Sequence, residues 1–214
     1  PAFNESQRIL KILQVIKDTP FLNEVVIIDD GSSDDTVKVI QSFMSQDERI
    51  KLLCHKNNLG KGQAIRTAAN VVTSEYILML DADLIGLTPA LIQQLCEPVF
   101  SGHCDMTLGL FKGGDWKTDF SHWVTPWLSG QRCFSREMLM QISWDAAAGY
   151  GLETALTVAA HQMHWKVQSV TLFGMSHPVS EIHRGGYKGF LHRLRMYGQI
   201  LRAWYIALKP DSKR

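Results

Sequence analysis

The strongest constraint in this 214-residue sequence is the stretch Tyr76-Ile77-Leu78-Met79-Leu80-Asp81-Ala82-Asp83-Leu84, an apolar run that ends in two carboxylates separated by one alanine. An uninterrupted apolar run of this kind predicts a central parallel strand covered on both faces, its carboxyl end at the ligand-binding edge of an open α/β sheet. Side chains at i and i+2 of a strand point the same way, so Asp81 and Asp83 would converge on one hard cation. The natural cargo of such a cation is a diphosphate. The competing reading is an acidic turn that merely ends a strand.

The surrounding sequence repeats strand, polar turn and helix. Residues 4–17 predict a helix, with Ile9, Ile12, Leu13 and Ile16 on one face and Ser6 as its cap. Val25-Val26-Ile27-Ile28 predicts a strand that ends in Asp29-Asp30-Gly31-Ser32 and leads through Asp34-Asp35-Thr36 into a helix. A third unit runs from a strand at 50–54 through Asn57-Asn58-Leu59-Gly60-Lys61-Gly62 to a helix over about 63–72. Glycines bracketing a lysine ahead of a helix let the backbone approach an anion at the helix N-terminus, although the pattern is not that of a P-loop. Thr88-Pro89 opens a helix that reaches about Phe100, and 106–110 is the next strand. This alternation predicts a doubly wound, mostly parallel sheet flanked by helices.

The second half is less regular. Residues 113–126 form a loop rich in Trp and Gly, 127–135 return to the sheet, and a helix starts near Arg136. Gly149-Tyr150-Gly151-Leu152-Glu153 introduces another helix with Leu152, Leu156 and Ala159 inward, and 166–172 is the last strand. Residues 187–209 predict an amphipathic helix in which Lys188, Arg195, Arg202 and Lys209 form a basic row beside an apolar and aromatic stripe. Such a row fits an anionic membrane surface or a phosphorylated lipid; equally, the helix packs on its own domain or on a second copy as a homodimer. With no linker or repeat in view, residues 1–214 are expected to form a single domain.

Bulk properties narrow the function. A net charge of +1 offers no global field for nucleic acid. No apolar run reaches the roughly 18 to 20 residues of a transmembrane helix, and no charged-then-apolar leader opens the sequence. Cys54, Cys96, Cys104 and Cys133 show neither CxxC nor zinc spacing, which suits reduced thiols in a cytoplasmic protein. The expected location is cytoplasmic, with peripheral contact at the inner membrane face through 187–209.

Four motifs, Pro1-Ala2-Phe3-Asn4-Glu5, Ile28-Asp29-Asp30-Gly31-Ser32, Asn58-Leu59-Gly60-Lys61-Gly62 and Asp81-Ala82-Asp83, stand in one order and spacing. Over about residues 1–135 the sequence resembles the family 2 glycosyltransferases of GT-A fold, most like their dolichyl-phosphate mannosyltransferase and glucosyl-3-phosphoglycerate synthase branches. That family places a first β-strand ahead of the proline-first motif, so the resemblance implies residues missing before Pro1. It also implies that Pro1, Ala2, Phe3 and Glu5 line a nucleoside pocket and that Asp30 contacts the base or ribose. Lys61, with the Gly60 and Gly62 backbone, would approach the nucleotide. Asp83 would contact the metal, and Asp81 would reach the donor ribose or sugar.

Beyond residue 135 the resemblance is looser. Glu153 would be an acceptor base in an inverting reaction or a sugar-hydroxyl ligand in a retaining one; as an acid at a helix N-terminus it is also simply favourable. Ser129-Gly130-Gln131-Arg132 resembles an acceptor-binding turn, with Arg132 as the anion ligand. His183 stands where the family branch carries a third metal ligand, with His177 as its rival. The implied cofactor is Mg²⁺ or Mn²⁺ and the implied donor a nucleoside-diphosphate sugar, UDP-linked ahead of GDP-linked. The implied acceptor is a small phosphorylated molecule or a polyprenyl phosphate.

The expected activity is therefore metal-dependent hexosyl transfer, and the alternative is a non-catalytic sugar-nucleotide-binding protein or partner subunit. A haloacid-type phosphatase is excluded because its chemistry needs an Asp where Ile28 stands. A nucleotidyltransferase is excluded because Pro1 to Glu5 lacks a Gly-rich, Arg-containing loop. The absence of Gln-x-x-Arg-Trp argues against a processive polysaccharide synthase.

Overall fold

The computed structural model describes residues 1–113, 129–145, 147 and 151–176. The expected loop at 113–126, the helix at 187–209, His177 and His183 lie wholly or largely outside the described residues.

Helix α1, Ile9–Lys17, buries Ile9, Ile12, Leu13 and Ile16, as the apolar spacing requires. It begins after Arg8 without a side-chain cap, so the expected start at Asn4 and the cap at Ser6 are both corrected. The reason is tertiary. The Glu5 N–H donates to Thr36 Oγ1 (2.8 Å) and the Ser6 N–H to Asp34 Oδ2 (3.2 Å), which ties this segment to the turn ahead of α2, Thr36–Met44.

Strand β1, Val25–Asp29, pairs in parallel with β2, Ile50–Cys54, in the register Val25↔Ile50 to Asp29↔Cys54. Ala2 adds one parallel bridge at the carboxyl end of β1, through Ala2 N–H to Ile28 O (2.9 Å) and Asp30 N–H to Ala2 O (2.8 Å). Helix α3, Lys61–Ala69, packs on β1. After β3, Tyr76–Met79, Thr88 Oγ1 accepts the Leu91 N–H and caps α4, Pro89–Phe100, whose first residue is the predicted proline.

Strand β4, Met106–Lys112, runs parallel to β6, Val167–Phe173, along seven paired positions. Between β3 and β4 lies β5, Arg132–Ser135, antiparallel to both, giving the order β3-β5-β4-β6. Two short helices complete the description, α5 at Arg136–Met140 and α6 at Leu152–Gln162.

The result is the expected α/β architecture with helices on the sheet, but β3 departs from its prediction. Its neighbour among the described strands is antiparallel, and it ends at Met79, leaving Ala82 and Asp83 in a turn. Nor is it covered on both faces, since Tyr76 is exposed and Ile77 and Leu78 are half-buried beside a groove. An apolar run carries no information on strand direction. The i, i+2 argument for Asp81 and Asp83 therefore does not apply.

The other edge of β3 faces β1 across an apolar groove of about 410 Å³, lined among others by Ile12 and Ile16 of α1 and by Ile65 and Ala69 of α3. Two apolar clusters hold these layers. One joins α1, β1 and α4 through Leu13, Ile27, Ile92 and Leu95; the other joins β4, β5, α5 and α6 through Met106, Phe134, Leu139 and Leu156. Each such side chain contributes about 1.5–3 kcal/mol on burial. Among the described residues, no helix is long and apolar enough to cross a membrane.

Glu24, just before β1, gives the fold a defined acid sensitivity. Burial pushes its carboxyl up, but Lys51 Nζ at 2.6 Å and the N–H groups of Thr73 and Ser74 outweigh this and hold it at about 2 against an ordinary 4.5. A depressed acid stabilises above its unfolded pKa and loses that contribution as pH falls through the folded one. The melting midpoint is expected to fall from pH 4.5 toward 2, and Glu24→Gln to flatten that part of a calorimetric pH series.

Candidate active site

The carboxyl ends of β1 and β3, the start of α3, the turn before β5 and the start of α6 meet at one edge of the fold. At the first of these, Gly60 adopts φ 89° and ψ 158°, a conformation open to glycine that side chains resist. It turns two backbone N–H groups onto Asp30, Leu59 to Oδ1 at 2.9 Å and Gly60 to Oδ2 at 2.7 Å. Burial raises the Asp30 pKa, yet these bonds and His55 outweigh burial and lower it. Asp30, expected at the base or ribose, is thus used to anchor the turn that opens α3.

The residue after that turn carries charge into the centre. Lys61 Nζ lies 2.6 Å from Asp81 Oδ1 and 2.7 Å from Glu153 Oε1. Burial would lower its pKa, but the two carboxylates outweigh burial and hold the ammonium above the ordinary lysine value. Gln131 Nε2 donates to the other Asp81 oxygen at 2.9 Å, so both oxygens of Asp81 are engaged by protein. Gln131 Oε1 is itself buried without a partner, an acceptor that a hydroxyl or an ordered water would complete.

Lys61, Asp81 and Glu153, read from three separate motifs, are therefore brought together. Asp83 stands apart from them, in the turn beyond, close enough to Glu5 to act on it. Burial raises the Glu5 carboxyl, Arg8 at 3.1 Å opposes this, and the Asp83 charge adds to it. Pro1 and Asp81 line the same groove, while Ala2 is buried and Phe3 exposed at the tip of β1.

Gly130 makes the cluster possible. A Cβ there would sit 2.6 Å from both Asp81 Oδ2 and Lys61 Nζ. Both are side-chain ends, so Gly130→Ala should displace the ion pair at small cost to the fold. We expect turnover at this site to fall about a hundredfold, the scale of a displacement near 1 Å, with a nearly unchanged melting midpoint.

Arg132 corrects an expectation. It is 0% exposed, with Nε donating to Ser129 O (2.9 Å) and Nη2 to Glu153 O (3.3 Å) and Thr157 Oγ1 (3.2 Å). Desolvation forces such a cation to be spent on internal acceptors, so it ties β5 to α6 and does not reach outward toward an acceptor. Gln131 and His55 were missed in the sequence. Strand alternation in 129–132 was a usable signal for Gln131; a lone histidine after β2 gave none.

Among the described residues, no three His, Cys, Asp or Glu side chains converge as a metal cage. The oxygen donors present, Asp83 with Glu5 nearby, have the hard chemistry that Mg²⁺ or Mn²⁺ takes when a substrate diphosphate and water complete the shell.

Comparison with known proteins identifies the family and the fold. The model of glycosyl transferase family 2 matches residues 1–156, and the chain belongs to that family. Among curated relatives, glycosyltransferase GlyG of Streptococcus pneumoniae is 27% identical over 150 residues, covering 70% of this chain and 48% of its own length. A dolichyl-phosphate beta-glucosyltransferase of Dictyostelium discoideum is 33% identical over 151 residues, covering 65% of this chain and 44% of its own. The chain thus spans less than half the length of these relatives. A crystal structure of Mycobacterium tuberculosis glucosyl-3-phosphoglycerate synthase with Mn²⁺ and UDP-glucose superimposes with TM-score 0.74 at 20% identity, covering 99% of this chain and 78% of that one. The fold is GT-A.

Proposed function

We propose that this chain transfers a hexose from a UDP-sugar to a phosphorylated acceptor, either a small molecule or a polyprenyl phosphate, with the help of Mg²⁺ or Mn²⁺. The observation that carries the reading is the Lys61–Asp81–Glu153 cluster at the carboxyl end of β3, with Asp83 in the next turn. Relatives described as dolichyl-phosphate beta-glucosyltransferases, and the fold of a synthase crystallised with Mn²⁺ and UDP-glucose, support the donor and acceptor classes.

When bound, the cation neutralises the charge that grows on a departing diphosphate. Asp83 would hold it, with His183 proposed as a further ligand. The chain's own groups do the rest. Pro1 to Glu5 border the nucleoside. Asp81, fixed from two sides by Lys61 and Gln131, presents a rigid edge to ribose or sugar. Lys61 supplies a fixed positive charge beside the leaving diphosphate. With a hydroxyl acceptor Glu153 would receive the proton of the attacking hydroxyl in an inverting reaction or bind sugar hydroxyls in a retaining one; a polyprenyl phosphate attacks through an ionised phosphate oxygen and needs no base.

The test is UDP release from UDP-glucose with Mn²⁺, with 3-phosphoglycerate or a short polyprenyl phosphate as acceptor. Acceptor-dependent UDP release is expected with one of them. No release from any UDP- or GDP-hexose with either acceptor would sink the reading.

A further inference from the structure

We propose that His55 is a positioning residue for the donor site, holding Lys61 in place by fixing the helix that carries it at two points. His55 follows β2, and its N–H continues the ladder to Asp29 O at 2.8 Å. Its ring lies between two partners, Nδ1 at 2.7 Å from Asp30 Oδ1 and Nε2 at 2.9 Å from Thr67 Oγ1. Asp30 in turn receives the N–H groups of Leu59 and Gly60, immediately before α3, whereas Thr67 lies within α3. The ring therefore links the end of β1 to α3 on both sides of Lys61.

Two attachments fix both the height and the rotation of a helix, and rotation of α3 is what would carry Lys61 Nζ away from its 2.6 Å and 2.7 Å partners. With a side chain only 11% exposed, His55 acts through Asp30 and α3, not by touching a ligand. Asp30 needs His55 for a reason of charge as well. A carboxylate 5% exposed has two backbone donors, and the imidazole Nδ1–H supplies a third.

This inference rests on Lys61 belonging to a donor site, so its test has two separate readouts. One is the affinity for UDP with Mn²⁺, measured by calorimetry on the full chain. The other is the rate at which acetic anhydride acylates the Lys61 amine, read by mass spectrometry without any nucleotide. His55→Ala should weaken UDP about tenfold, the worth of one charge-assisted hydrogen bond, and should expose Lys61 to acylation. His55→Asn rebuilds only the link to Asp30 and His55→Gln only the link to Thr67, so each should recover part of both losses and neither the whole.

Unchanged affinity and acylation in His55→Ala, or full rescue by either Asn or Gln alone, overturns the proposal. If the unsubstituted protein binds neither UDP nor GDP, the donor-site reading fails. In that case the acylation contrast between His55→Ala and His55→Asn still decides the role of His55.

Discussion

Asp83→Ala should lower kcat/KM for transfer from a UDP-sugar by about a thousandfold, the scale on which loss of one electrostatic contact to a developing oxyanion is felt. The expectation follows from the division of labour at the end of β3. Asp81 has both oxygens engaged, one by Lys61 and one by Gln131, and is held as a wall of the site. Asp83 lies two residues farther along, in the turn, half-buried and near Glu5. In the proposed function it is the carboxylate that would meet a cation arriving with a diphosphate. Because it belongs to neither apolar cluster, its loss should leave the melting midpoint close to that of the unsubstituted protein. The decisive measurement is a Mn²⁺ titration of the residual activity. A metal ligand predicts that Asp83→Ala needs more Mn²⁺ for half-maximal rate and recovers partly as Mn²⁺ rises. An unchanged Mn²⁺ dependence would place the metal elsewhere.

Much of this site is legible in the sequence, because the residues that end strands announce themselves. Apolar runs at 25–28 and 76–80 each stop at acids, and the glycine-flanked Lys61 precedes a helix; those breaks carry local conformational information. The meeting of Lys61 with Glu153 was not legible, since 92 positions separate them (153 − 61) and nothing local encodes the contact. Direction was equally hidden. Only Met79 of β3 is buried, and an antiparallel neighbour satisfies an apolar strand as well as a parallel one. The choice between Gln131 and Arg132 was legible in principle. Neighbouring residues of an extended chain face opposite ways, so only one of them could point at Asp81. Charge drew attention to Arg132, whereas the uncharged Gln131 makes the contact.

That same alternation makes Arg132 the largest expected effect on stability. Its guanidinium is fully buried and bonded to Ser129 O, Glu153 O and Thr157 Oγ1, with Nη1 3.8 Å from the sulfur of Met106. Burial pulls its pKa down to about 10, with the Glu153 charge opposing, so the cation is held at a cost. Arg132→Ala would leave acceptors without their donor and open a cavity between β5 and α6. The expected loss is about 3–5 kcal/mol, or a fall of roughly 10 °C in Tm for a chain of this size. Arg132→Met fills most of the volume and removes the buried charge, so it should recover a good part of that stability. It should not recover activity, because Ser129 and Glu153, the residues it steadies, flank Gly130 and hold Lys61. Thermal unfolding of both variants beside acceptor kinetics separates this role from an anion ligand. A ligand would raise the acceptor KM in both variants at nearly unchanged Tm, whereas a strut lowers Tm steeply in the alanine variant and much less in the methionine one.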